Sequence, residues 1–156
     1  MNYWLLKSEP DTFSIDDLAR ARGQRTEWDG IRNYQVRNMI RDRIKTGDLA
    51  FFYHSNCRPP GIVGIVEVVR SAYPDPSAWN PRSPYFDPKS DPQQPRWLMF
   101  DVRLVKRFDR TISLKELRSE PRLAEMTLLK RGNRLSITPV DEKQWQLILA
   151  LSRHTM

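Results

Sequence analysis

"GDLAFFYHSNCRPPGIVGIVEVV", residues 47–69, decides the fold class. Gly47-Asp48 is a turn signal. It opens a run, Leu49 to Ser55, apolar enough to be a buried strand. Gly61 to Val69 is a second run, rich in β-branched residues that suit a pleated surface. The second run is expected to pair with the first. The first run ends in four side chains that hydrogen-bond: Tyr53, His54, Ser55 and Asn56. Alternation puts Phe51, Tyr53 and Ser55 on one face and Phe52, His54 and Asn56 on the other. We expect Tyr53, His54 and Ser55 at the rim of a pocket, with Phe51 or Phe52 inside.

Outward from this pair, "NYWLLK" (2–7) reads as another buried strand. "SIDDLARARG" reads as a helix with Ser14 as N-cap, Asp16 and Asp17 in the first turn, Arg20 and Arg22 in the last, and Gly23 as the stop. "EWDGIRN" (27–33) reads as irregular, with an Asp29-Gly30 turn. Asn33 caps a helix to about Ile44. Its apolar stripe is Val36, Met39, Ile40 and Ile44, and Tyr34, Arg37, Asn38, Arg41 and Lys45 lie opposite. Between Tyr73 and Arg96 fall seven of the twelve prolines, a loop too proline-dense for helix or central strand. Residues 96–108 alternate as a long strand, with Leu98, Phe100, Val102 and Leu104 on one side. Ser113 and Glu116 form a capping box for a short helix. A short strand follows, and Thr138 caps a last helix with Pro139 at its first position and Trp145, Ile148 and Leu149 as its buried stripe. Five or six strands and about four helices, not in βαβ alternation, predict an α+β fold: a small, bent mixed sheet or barrel flanked by helices.

The 156 residues suit one domain, 1–156, with a real core. Hydrophobic residues make 39% and charged residues 29%, an ordinary globular balance. No apolar run is long enough to span a membrane, so no membrane role is expected. The N-terminus lacks the pattern of a signal peptide. One cysteine, Cys57, leaves no internal disulfide and suggests a reducing compartment, so the expected location is cytoplasmic. Lys plus Arg number 26 against 19 Asp plus Glu, a net charge of +7, which favours nucleic acid as partner.

Several chemistries are disfavoured. His54, His154 and Cys57 do not make a Cys/His metal site, so no metal is expected. A Cys57–His54 nucleophile would need a turn at Asn56 and an acid partner that the nearby sequence lacks. There is no GxGxxG and no GxxxxGK[ST], so no nucleotide cofactor is expected. What remains is aromatic, amide and cation together: Trp28, Tyr34, Phe52, Tyr53 and Trp97 lie close in sequence to Lys7, Arg32, Asn33, Arg37, Arg41, His54, Asn56 and Arg96. That combination grips a base, with π faces for stacking, polar groups for the base edge and cations for phosphate.

"YWLLKSEPDTFSIDDL", "WDGIRNYQVRNMI", "GDLAFFYHSN", "PGIVGIVEV", "YFDPKS", "PRWLMFDV" and "LSITPV" together resemble the EVE family, from Tyr3 to about Trp145 and in the same order. The resemblance implies a PUA-like fold, akin to the YTH, ASCH and SRA domains. It implies a reader of modified bases, with modified cytosine in DNA as the main ligand class and RNA as the alternative. By likeness to YTH domains, Lys7, Ser8 and Trp28 line the base pocket. The EVE pattern adds Glu9, Asn33, Tyr34, Tyr53, His54, Ser55 and Asn56.

The expected mechanism is non-catalytic. A base enters between Trp28 and a second aromatic, Tyr53. Stacking gives about 1–3 kcal/mol, and extrusion from a duplex costs a few. Hydrogen bonds from Ser8, Glu9, His54 or Asn56 and phosphate pairing by Arg32, Arg37, Arg41 and Arg96 supply the surplus. Two rivals stand beside it. One is an ASCH-like enzyme on modified nucleosides, with Lys7, Glu9 and His54 as acid–base groups. The other is an adaptor using the proline-rich loop 74–95.

Overall fold

The computed structural model describes residues 1–153, so His154 lies outside the described residues. The chain runs β1 (Tyr3–Ser8), α1 (Ile15–Arg20), β2 (Arg25–Trp28), α2 (Tyr34–Asp42), β3 (Leu49–His54), β4 (Gly61–Pro74), β5 (Leu98–Ser113), α3 (Leu114–Arg118), β6 (Ile137–Val140) and α4 (Glu142–Ser152). The six strands form one mixed sheet in the order β2-β5-β4-β3-β1-β6. β1 and β3 run parallel, from Tyr3 beside Leu49 to Ser8 beside His54; β3 and β4 pair as expected, and the pair is antiparallel.

The sheet is strongly curled. β5 and β4 separate β2 from β3, which in a flat sheet puts those strands about 14 Å apart. Yet the rings of Trp28 on β2 and Phe52 on β3 meet edge to face with centroids 5.5 Å apart. Register shifts supply the bend: one in β3–β4 at Phe52/Tyr53 and four along β4–β5. Gly64 sits at one of them. A β-carbon there would lie 2.3 Å from Ile15 Cδ1 and 2.4 Å from the Lys106 carbonyl, so only glycine lets α1 and β5 approach this closely.

Two apolar cores lie on the two faces of the sheet. Trp4, Leu6, Phe52, Val66, Phe100 and Val102 face α1 and α2, packed with Ile15, Leu18, Val36, Ile40 and Ile44. Leu5, Phe51, Tyr53, Ile62 and Ile112 face α3 and α4, packed with Leu117, Trp145 and Ile148. Phe51 stacks on Trp145 at 3.9 Å. The expected face of β5 is the inward one: Phe100 and Val102 are buried in the first core, and Leu98 and Leu104 pack against it.

Helix caps are local and mostly match the sequence. Ser14 and Asp17 form a reciprocal capping box on α1, and Asn33 Oδ1 accepts the Val36 N–H of α2 at 3.0 Å. α1 ends at Arg20, with Arg22 and Gly23 in a separate 3-10 turn. α2 ends at Asp42, and Ile44 stays buried beyond it. At α3, Ser113 Oγ accepts the Glu116 N–H, but the Glu116 carboxylate takes both terminal nitrogens of Arg110 at 2.6 and 2.9 Å.

Two expectations are corrected. Glu27 and Trp28, expected in an irregular segment over 27–33, are strand, because Arg25 to Trp28 pair with Arg103 to Phe100. Thr138 caps no helix. Thr138 and Pro139 lie in β6 opposite Leu5 and Trp4, and Asp141 caps α4 with Gln144 returning the bond. The pairing demand of β1 outweighs the local Thr-Pro signal. No helix among the described residues is long and apolar enough to cross a membrane.

Candidate functional site

β1 and β3 end together, and the chain turns sharply after each. Past Ser8, the Glu9 carbonyl accepts the N–H groups of Thr12 and Phe13, both at 2.9 Å. This tight turn brings Thr12 and Phe13 beside the end of β1. Past His54, Asn56 adopts φ +57, a conformation that asparagine tolerates better than most residues. Its amide Nδ2 then donates to Glu9 Oε1 at 3.0 Å, fixing the carboxylate. The Ser55 N–H donates to the Ser8 carbonyl at 3.0 Å, and Ser8 Oγ donates to the Phe13 carbonyl at 2.6 Å.

Against these turns stands the end of β2. Trp28 is 8% exposed, its ring braced by Phe52. Asp29 and Gly30 follow it, and Gly30 takes φ +76. Lys7, Ser8, Glu9, Trp28, Asp29, Ile31, Tyr85 and Ser136 are among the residues around a cavity of about 350 Å³, the size range of small-ligand sites.

The electrostatics of this cavity are mixed. Burial lowers the Lys7 ammonium below the ordinary lysine range. Asp29 is held above the ordinary carboxylate range, first by loss of solvent and then by the charges of Asp75 and Glu27. Asp75, behind the cavity, is driven up by burial. Hydrogen bonds from Ser77, the Gly30 N–H and Arg32 outweigh that and hold it below the ordinary range.

Of the expected site residues, the structure brings Lys7, Ser8, Glu9 and Trp28 to one cavity, with Asn56 behind Glu9. The others go elsewhere. Tyr53, expected as the second stacking ring, is buried in the opposite core with Leu5 and Phe51, because β3 alternates faces and only Phe52 points toward Trp28. His54 Nε2 accepts the Ile15 N–H at 3.1 Å, so the imidazole serves the start of α1. Ser55 contributes a backbone N–H. Asn33 caps α2, and Tyr34 stacks on Trp97 at 4.7 Å outside the cavity. Cys57 Sγ lies 3.6 Å from the Pro59 carbonyl, and the Nε2 of His54 is already engaged.

The four expected phosphate arginines have internal partners. Arg37 donates to the Arg96 carbonyl at 2.8 Å, and Arg96 donates to Tyr34 Oη and the Lys89 carbonyl. Arg41 pairs with its exposed neighbour Asp42. Arg32 is held by Asp75, Ser77 and Tyr85. Sequence reasoning missed Asp29, Tyr85 and Ser136 as cavity residues. Asp29 had a signal, its place between a tryptophan in a polar segment and a glycine. Tyr85 and Ser136 had none that is local.

The EVE domain family matches residues 2–151. Thymocyte nuclear protein 1 of Rattus norvegicus is 43% identical over 167 residues, 96% of this chain and 73% of the rat protein. A crystal structure of a Pseudomonas syringae protein superposes with a TM-score of 0.91 at 47% identity, covering 96% of this chain and 99% of that one. The crystal structure of human THYN1 protein in complex with 5-methylcytosine-containing DNA superposes with a TM-score of 0.94 at 39% identity, covering 100% of both chains. This chain therefore belongs to the EVE domain family, and its curled six-stranded sheet with flanking helices is a PUA-like fold.

Proposed function

We propose that this chain is a non-catalytic reader of modified bases in nucleic acid, with 5-methylcytosine in DNA as its ligand, and that residues 1–156 act as one unit. The observation that carries it is the full-length likeness, at a TM-score of 0.94, to human THYN1 in complex with 5-methylcytosine-containing DNA. The cavity supports it: Trp28 offers a braced ring, and Lys7, Ser8, Glu9, Asp29 and Ser136 offer donors and acceptors around it. Carboxylates beside the ring suit the exocyclic amino group of a cytosine. Stacking supplies about 1–3 kcal/mol and a buried methyl about 0.8. The preference for methylated over plain cytosine is therefore expected to be modest, a few-fold. With DNA as the ligand, the protein works in the compartment that holds the cell's DNA, which is the cytoplasm expected from the sequence only where DNA is not enclosed in a nucleus.

The test is a panel of DNA and RNA oligonucleotides, each plain or carrying one modified base, at two salt concentrations. Tightest binding to 5-methylcytosine DNA, weakened by Trp28→Leu, supports the reading. Equal binding to all of them, or none, removes it.

A further inference from the structure

The proline-rich loop carries one ring that the sequence does not place. Tyr85 lines the same cavity as Trp28, although 57 residues of chain separate them. The phenolic end of its ring fills the space where a β-carbon at residue 30 would be, 2.7 Å from Cζ and 2.8 Å from both Cε atoms. Glycine is thus needed at position 30 both for its φ of +76 and for this contact. Tyr85 is nevertheless 36% exposed and is one of the residues lining the cavity, so it is not wholly spent on packing.

Arg32 holds that ring in place. Its Nε and one terminal nitrogen donate to the Tyr85 carbonyl at 2.9 and 2.6 Å. The same nitrogen reaches Ser77 Oγ at 3.1 Å. The other reaches the Ile31 carbonyl at 2.8 Å and Asp75 at 3.2 Å. A guanidinium has five N–H donors, and these five bonds use them all. Its Cζ lies 5.9 Å from the Tyr85 ring centroid and 5.5 Å from that of Trp97. Asp75, which is buried, also accepts the Gly30 N–H at 2.9 Å. One ion pair therefore ties both the loop and the turn after Trp28. An arginine with no donor left is poorly placed to bind a phosphate.

We propose that Tyr85 is the second aromatic wall of the base pocket and that Arg32 is its positioning residue, not a phosphate contact. The inference rests on the base-reading function proposed above.

The experiment is a binding titration of the full chain with a 5-methylcytosine DNA oligonucleotide across a salt series, with thermal unfolding of each variant. Tyr85→Ala is expected to weaken binding about ten-fold at every salt, and Tyr85→Phe to leave it unchanged. Arg32→Lys keeps the charge but cannot make five bonds. It is expected to weaken binding with an unchanged salt slope, and to add nothing in the Tyr85→Ala background. An Arg32→Lys variant that binds like wild type, or an Arg32→Gln variant whose salt slope falls by about one, identifies a phosphate contact and overturns the role of Arg32. Tyr85→Ala binding like wild type while Trp28→Leu loses affinity overturns the second wall and leaves the reading standing. A wild-type chain that binds no oligonucleotide removes the reading and this inference together.

Discussion

The indole Nε1–H of Trp4 donates to Asp48 Oδ2 at 3.0 Å, both side chains buried, across 44 residues of chain. Asp48 also accepts the Asn2 and Lys45 N–H groups, each at 3.0 Å. One carboxylate thus ties the starts of the parallel strands β1 and β3. Asp48→Ala orphans a buried indole N–H and two backbone donors, and each orphaned donor costs roughly 1–3 kcal/mol. We expect a loss of about 3 kcal/mol, measured by urea unfolding, and a smaller one for Asp48→Asn.

His54 makes stability depend on pH. Burial lowers its imidazole below the ordinary value of 6.5, and the neutral Nε2 accepts the Ile15 N–H. Protonation would set donor against donor. The unfolded chain therefore binds the proton more readily, and stability rises with pH between the depressed folded value and 6.5. It is fully present above that window and is lost as the pH falls through it. Unfolding midpoints of wild type and His54→Gln, compared from pH 7.5 downward, should converge as the medium becomes acidic.

Gly64→Ala tests the close approach at the bulge. The new β-carbon meets Ile15 Cδ1, which can move, and the Lys106 carbonyl, which is backbone and cannot. We expect destabilisation of about 1–3 kcal/mol by thermal unfolding. Adding Ile15→Val should restore only part of it.

Arg41 separates two uses of charge. Its partner, Asp42, is an exposed neighbour, so a phosphate can displace it at little cost. Arg41→Gln is expected to lower the salt slope of oligonucleotide binding by about one, with the unfolding midpoint unchanged. Arg37→Gln should instead lower that midpoint, because Arg37 holds the Arg96 carbonyl.

Local chemistry was legible in the sequence, and distant juxtaposition was not. The Ser14 and Asn33 caps, the apolar stripe of α2 and the β3–β4 pair follow from neighbours within a few residues. Thr138 misled, because a strand partner at Leu5 decides its place. The β3 alternation separated Phe52 from Tyr53 correctly. Which face meets Trp28 depends on how far the sheet curls, and that is set by register shifts spread over three strands. Tyr85 reaches the site through a contact with Arg32, 53 residues away, and no periodicity encodes it.

The curled sheet acts as a partition. Trp28, Ile31 and Phe13 of the cavity belong to or pack on the core beneath α1 and α2. Among the described residues, none that lines the cavity belongs to the core beneath α3 and α4. Substitutions around Trp145, Ile148 and Leu117 can thus raise or lower the melting point without reshaping the ligand cavity. Durability and recognition can drift on separate sides of one wall.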